Sequence, residues 1–451
     1  MVVPPNEGRS EAARPSFARS SLLTYSTNVL VALLSLVNVL IVARVLGPEG
    51  RGGVAFLMAI ALLTSTLATL GVEQSMVNVA SAQPSARRAL AGNALILAVL
   101  LGGVGIAIVQ GLIAAFPTVG ADSSPELRWL ALAAIPVLVL QTFLIVLLQA
   151  EYRFALTNAT WLATAVLNVG GTGVLAASGR LSVGTAVGTW VGAQALAASF
   201  LVWCVARRST GFGRPDPSLA RRTIAFGVQS HLGSVMSIGN YRLDQWILAS
   251  LAGSRELGLY SVAVAWSEAL FFLPTALAAV QRPDLVRAPA SEAGRRAASV
   301  LRSALLVTVP LAAALLLLAP FLCVTVFGEE FRGSIDDLRV LVAGGFGIVA
   351  LKLMTNALTA RGKPMQATAA IAVAFVSTIA LDALLIPSLG GLGAAIASTC
   401  AYVAAGVAAA LIARRALGMQ GRDFLPRLDD IRRLRQWGAG LRGRTGRVPN
   451  R

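Results

Sequence analysis

Stretches of about twenty mostly apolar residues, the length that carries an α-helix across a hydrocarbon core, follow one another along this chain with only short polar breaks. Twelve such windows are legible, at residues 21–44, 53–72, 90–115, 129–149, 157–177, 183–205, 224–250, 257–279, 303–326, 339–359, 365–387 and 391–413. Strict apolar/polar alternation over runs of about ten residues, the mark of a membrane β-barrel, is absent. Helices then remain as the way to satisfy every backbone N–H and C=O in lipid. Composition agrees: 56% of the residues are hydrophobic, 13% are charged and the mean hydropathy is +0.73, outside the soluble globular range. The predicted fold class is an all-α polytopic membrane protein with about twelve transmembrane helices.

The formal net charge of +17 would suit a nucleic-acid partner, so its distribution matters more than its size. With the N-terminus inside, the twelve windows place 29 of the 38 Lys and Arg on the inner side and 7 on the outer. Positive charge concentrates on the cytoplasmic side of membrane proteins. The charge is therefore a topology signal, both termini are expected in the cytoplasm, and nucleic acid is not an expected partner. Residues 1–20 are polar and bear proline, with no apolar segment that would make a leader peptide, and read as a disordered cytoplasmic tail. Residues 414–451 are basic, and Phe424, Leu425, Leu428, Ile431, Leu434 and Trp437 recur at helical spacing. That pattern suits an amphipathic helix lying on anionic lipids. Cys204, Cys323 and Cys400 lie far apart in or beside apolar windows and read as small buried hydrophobes.

The chain repeats itself weakly. The segment "VARVLGPEGRGGVA" from Val42 matches "LASLAGSRELGLYS" from Leu248, with Gly47 over Gly253 and Gly52 over Gly258 at an offset of 206 residues. The segment "VGTAVGT" from Val183 matches "LGAAIAS" from Leu392 at an offset of 209. Two six-helix bundles are predicted, 21–205 and 224–413, joined by a cytoplasmic linker at 206–223 and related by an axis along the membrane normal. Gly47 with Pro48, and Gly253, punctuate outer turns, since glycine supplies the backbone angles and proline blocks helix continuation.

The turn "RVLGPEGRGGVAF", the block "NYRLDQWILASLAGSRELGLYSVAVAWSEALFFLPTAL", the loop "VFGEEF" and the turn "IPSLGGLGAAIAS", in that order, resemble the polysaccharide-biosynthesis branch of the MOP superfamily. That branch holds oligosaccharide-lipid flippases, with lipid II flippases and MATE exporters as relatives. The resemblance runs from about residue 20 to 415. It implies a V-shaped pair of six-helix bundles, a central cavity lined largely by windows one, two, seven and eight, and alternating access of a lipid-linked sugar headgroup in a bacterial plasma membrane. Lipid-linked oligosaccharide and anionic lipids are the expected partners, with polysaccharide polymerase and other pathway proteins as candidates.

A charge at the centre of a membrane helix costs about 2.5–3.5 kcal/mol on insertion scales. Arg242, Asp244, Glu268, Lys352 and Asp382 fall inside the windows. At about 100° per residue, Ser230, Ser234, Ser237, Tyr241 and Asp244 form one polar stripe. Arg242 lies about 160° away from Asp244 on the mostly apolar stripe of His231, Val235 and Ile238. The polar stripe favours Asp244 for the wetter side, and Glu268 suits either the arginine or a coupling cation as partner. Thr24, Asn28, Ser35 and Asn38 give the first window a similar polar face. Arg242 and Lys352, with Tyr241, Gln245, Asn28 and Asn38, are the candidate substrate contacts, because guanidinium and ammonium groups suit a diphosphate. Asp244, Glu268 and Asp382 are candidates for a proton or sodium site; Asp382, near the outer end of its window, could also simply be wet. For all five charges an ion pair or hydrogen bond that only fixes packing is the alternative. His231 reads as an interface residue, and Pro136 and Pro274 as sites of helix bending.

No phosphate-cradling glycine loop, metal-ligand cluster or nucleophile with a partnering histidine is present, so neither enzyme nor cofactor is expected. The competing readings are a MATE-like ion-coupled drug exporter, a membrane glycosyltransferase or polymerase of the same pathway, and a scaffold without transport.

Overall fold

The computed structural model describes residues 17–116 and 122–424. Its α-helices are α1 (Phe17–Ala68), α2 (Val72–Ala82), α3 (Arg87–Ala115), α4 (Pro125–Leu132), α5 (Ala134–Ala150), α6 (Phe154–Ala177), α7 (Val183–Arg208), α8 (Pro217–Leu251), α9 (Gly253–Ser267), α10 (Ala269–Arg287), α11 (Ala290–Pro320), α12 (Ser334–Ala360) and α13 (Pro364–Ala416). No strand occurs among the described residues. Helix α1 already begins at Phe17, so the predicted tail of 1–20 is shorter than expected. The proposed surface helix beyond Phe424 lies outside the described residues.

Among the described residues, eight stretches are long and apolar enough to cross a membrane. Two of them, Ser26–Ala68 and Pro364–Ala416, are far longer than the roughly 20 residues that one crossing needs. Each is broken once. Gly47 (φ 66°, ψ −173°) interrupts α1, and Gly390 (φ 55°, ψ −130°) interrupts α13. Positive φ is cheap for glycine alone, and Pro48 withholds the N–H that would carry the helix through. Between α8 and α9, Gly253 takes the same left-handed region, φ 83°.

Large apolar side chains face outward all round, among them Val99, Val174, Leu317 and Leu384. In lipid such side chains are the ordinary outer surface. The predicted bends sit close to the prolines without coinciding with them. Helix α4 gives way to α5 at Ala133, three residues before Pro136, and α9 gives way to α10 at Glu268, six before Pro274. The first is expected, because the proline ring crowds the carbonyl one turn earlier.

Around the Gly47 break, α1 is sewn to the second half of the chain. A Cβ added at Gly52 would stand 1.7 Å from the Ser254 carbonyl oxygen, and one at Gly258 would stand 1.9 Å from that of Pro48. Backbone meets backbone here, with no room for a side chain. Arg255 pairs with Glu49 at 3.4 Å, and both the amide and hydroxyl of Ser254 donate to Asp122 Oδ2 at 2.8 Å. Arg44 donates to the carbonyls of Val326 at 2.7 Å and Thr325 at 2.5 Å. Beneath these polar contacts Ala43 packs with Leu259, Val262, Phe327 and Phe331. We call this region the turn-face seam.

The two halves also meet at the other end. There the Gly71 and Gly227 backbones touch, the His231 imidazole lies 3.2 Å from the Leu67 carbonyl oxygen, and Asn93 exchanges hydrogen bonds of 2.9 and 2.8 Å with the backbone of Asp216. Asp216 caps α8 by accepting from the amides of Ser218 and Leu219. The Ser218 hydroxyl, with those amides, holds its carboxyl below the usual range.

Candidate functional site

The charged groups of the second half gather where α8, the α9–α10 break, α12 and α13 come together. The break at Glu268 presents its carboxylate to Arg242, 3.5 Å from Nη2, and about a third of each side chain stays exposed. Asp244 is only 2% exposed. It accepts from Tyr260 Oη at 2.5 Å, from Ser398 Oγ at 3.4 Å and from the Gln245 amide at 2.7 Å. This reverses the expectation for α8: the arginine is on the wetter side and the aspartate is buried. The stripe's polarity at Asp244 is met by hydroxyls from α9 and α13 and not by water, a distinction that periodicity within one helix cannot make.

One turn earlier on α8, Asn240 accepts from Thr378 Oγ1 at 2.8 Å and Tyr402 Oη donates to its carbonyl at 3.4 Å. Asp382 follows Thr378 on α13. It is fully buried, not wet, and among the described residues neither of its carboxyl oxygens has a hydrogen-bond partner. It lies within electrostatic reach of Asp244. Asn240, Tyr260, Thr378, Ser398 and Tyr402 are the residues that sequence reasoning missed. Asn240, Tyr260 and Ser398 fall in segments that the repeat or the resemblance already marked, whereas Thr378 and Tyr402 carried no signal.

Lys352 on α12 donates to Thr275 Oγ1 at 3.1 Å, and its Nζ stands 5.7 Å from the centroid of the Phe271 ring. The lysine opens onto a cleft of roughly 400 Å³ lined by Arg282, Thr275, Thr355, Asn356, Thr359 and Thr368, among others, within the usual ~300–1,000 Å³ of ligand sites. Its walls are α8, α10, α12 and α13, so the first half of the chain contributes none of them. That differs from the expected lining by windows one, two, seven and eight. Arg282 adds a second cation to the cleft. Phe271 also lines the small pocket between Asp244 and Glu268 and meets Tyr402 edge-on at 6.3 Å. The ring that walls the acidic pocket is thus the one against which the Lys352 ammonium stands.

The remaining candidates lie apart. Gln245 is buried beside Asp244. Asn28 is exposed, and Asn38 is half-buried, its Oδ1 without a partner among the described residues. Thr24, on the same face of α1, receives a hydrogen bond from Asn158 of α6 at 3.0 Å, so part of that face serves packing. The side chains of Tyr241, Ser230 and Ser234 lie outside the described ones. Cys204 and Cys323 are buried as expected, whereas Cys400 is exposed. Among the described residues no group of three or more His, Cys, Asp or Glu is placed to hold a metal ion.

A family model described as polysaccharide biosynthesis protein matches residues 41–336, which takes in α1 from just before the seam, Arg242, Glu268 and the seam itself. This chain belongs to that family. Among solved structures it is similar to a lipid II flippase, MurJ, in an inward closed conformation, with a TM-score of 0.70 at 14% identity over 95% of this chain and 94% of that one. It is also similar to an inward-facing multidrug resistance MATE family transporter of the MOP superfamily, with a TM-score of 0.67 at 16% identity over 88% and 98%. A third is a MOP superfamily transporter from Pyrococcus furiosus with a binding pocket of reversed polarity, with a TM-score of 0.62 at 15% identity over 89% and 95%. At these identities the likeness shows a shared fold. No curated protein matches the chain. Membership and fold together make it a multi-pass membrane protein of the polysaccharide-biosynthesis family, built on the fold that the lipid II flippase and the MATE transporter share.

Proposed function

We propose that this protein is a flippase that carries a polyprenyl-diphosphate-linked oligosaccharide from the cytoplasmic to the outer leaflet of a bacterial plasma membrane, by alternating access and without catalysis. The carrying observation is that Arg242 and Lys352, cations in the membrane interior, are both set around Glu268, Lys352 within its electrostatic reach, while Lys352 and Arg282 face a cleft lined with hydroxyls and amides. Guanidinium and ammonium groups in such a setting suit phosphate oxygens. The hydroxyl and amide lining suits sugar.

In this reading the chain makes twelve crossings with both termini in the cytoplasm and the turn-face seam outside. Its halves, 21–205 and 224–413, are pseudo-repeats. The reciprocal seam contacts support that, because Gly52 on Ser254 and Gly258 on Pro48 exchange places under the 206-residue offset. The cluster of Asp244, Asp382, Asn240, Thr378 and Ser398 is the coupling site. A buried carboxylate without a donor is costly, and a proton or alkali cation on Asp382 would remove that cost.

The same buried acids also favour a second reading, an ion-coupled exporter of cationic compounds. One experiment separates the two. In liposomes carrying a fluorescent polyprenyl-diphosphate sugar, wild type should exchange the lipid between leaflets. Arg242→Ala and Lys352→Ala should slow exchange about tenfold or more at equal protein content, since a hydrogen bond to a charged group contributes about 1.5–3 kcal/mol. A wild type that moves no lipid but drives a cationic dye against an ion gradient would replace the flippase reading with the exporter.

A further inference from the structure

At the end of the molecule away from the turn-face seam, the segment between α7 and α8 is sealed onto the start of α3. The Gly213 amide donates to the Arg88 carbonyl at 2.7 Å, and a Cβ added at Gly92 would stand 2.3 Å from the Gly213 carbonyl oxygen. Beyond that seal a groove of roughly 480 Å³ opens between α3 and α8. Ile96, Leu97 and Leu100 of α3 form one wall, and Ala220 and Ile224 of α8 the other. Ile96 and Leu100 stay exposed, so the groove is open to the lipid around the protein. Asn93, the polar group that α3 contributes to the groove, is already spent on the Asp216 backbone.

The sealed end of the groove is cationic. Arg221 lines it, and Arg88 and Arg214 flank the Gly213 contact. All three side chains are exposed, and among the described residues none has an ion pair or a side-chain hydrogen bond. The nearby Asp216 turns its carboxylate to the amides of Ser218 and Leu219, which leaves the charge of the arginines uncompensated. An apolar trough ending in unpaired arginines has the two-part chemistry of an anionic phospholipid: hydrocarbon lies along the helices, and guanidinium groups take the phosphate. We propose that this groove is a binding site for one anionic phospholipid, with an acyl chain against Ile96, Leu97 and Ile224 and its phosphate on Arg221. A zwitterionic lipid offers the same chain, but its own ammonium competes with the arginines for the phosphate. The site is separate from the Lys352 cleft, whose walls do not include α3, and it does not depend on what the protein transports.

Native mass spectrometry of the full chain in detergent, titrated with phosphatidylglycerol or phosphatidylcholine, tests this. The parent protein should hold one phosphatidylglycerol under activation that strips phosphatidylcholine. Arg221→Gln should weaken the apparent affinity about fivefold, the weight of one basic side chain at an anionic membrane surface. Arg222→Gln removes the same charge about 100° round α8, from a side chain that does not line the groove, and should leave the affinity unchanged. Ala220→Trp fills the groove and should abolish retention without lowering the melting temperature measured with phosphatidylcholine. Should the tryptophan disturb folding, the two arginine variants still decide. Retention of neither lipid, or of both equally, overturns the proposal. So do equal losses in Arg221→Gln and Arg222→Gln, the mark of diffuse attraction to a basic surface, and undiminished retention in a folded Ala220→Trp, which puts the lipid elsewhere.

Discussion

Asp244 and Asp382 share burial and differ in company. Three donors meet Asp244; among the described residues none meets either oxygen of Asp382. Breaking a satisfied buried network is costly, whereas removing an unpaired buried charge is often neutral or stabilising. Asp382→Asn should therefore fold and melt in detergent at or above the wild-type temperature, while its lipid exchange no longer responds to a proton or sodium gradient. A lower melting temperature together with an intact gradient response would make Asp382 a packing residue. Arg242, Asp244, Glu268, Lys352 and Asp382 were all legible as charges that a lipid-facing helix would not carry. Which of them is wet was not, because Tyr260 and Ser398 arrive from helices 16 and 154 residues further along the chain.

At the level of elements, glycine carries the design. Gly47 and Gly390 allow one apolar segment to become two, and Gly52 and Gly258 let two turns touch through their backbones. Side-chain rotation cannot relieve a Cβ 1.9 Å from the Pro48 carbonyl, so Gly258→Ala must part the seam. In a background without Cys204, Cys323 and Cys400, a cysteine placed at Ala43, 1% exposed beneath the seam, should then react faster with maleimide, and lipid exchange should fall, with the amount of membrane protein unchanged. Gly103, inside α3, has nothing within 4 Å of an added Cβ. Gly103→Ala should leave labelling unchanged and stabilise α3 by about 0.5–1 kcal/mol, the helix-propensity difference. Labelling that rises equally in both variants would mean that the seam is not a steric device. The turn glycines at 47, 52, 253 and 258 were readable from the 206-residue offset. That each turn presses on the other was not, since the offset relates two sequences without saying that they meet.

For the molecule as a whole, the orientation rests on the excess of Lys and Arg predicted inside. Arg332, beside the seam loop, has a side chain 70% exposed, and Ser209 lies just past the end of α7. In intact cells of a cysteine-free background, a membrane-impermeant thiol reagent should label Arg332→Cys and spare Ser209→Cys. The reverse pattern would invert the topology and the proposed direction of transport.

The sequence by itself determined that this chain is a helical membrane protein, that glycines 47 and 253 mark turns, and which charges are out of place in lipid. These follow from local facts: segment length against bilayer thickness, glycine and proline backbone limits, and the cost of a charge in hydrocarbon. Only the tertiary structure decided that Asp244 is hydrogen-bonded while Asp382, among the described residues, is not, that Lys352 opens into a cleft made by the second half, and that the turns at Gly52 and Gly258 press on each other's partners. Each of these depends on which helices touch. A helix's own period fixes the direction of a side chain, and only packing fixes what waits there.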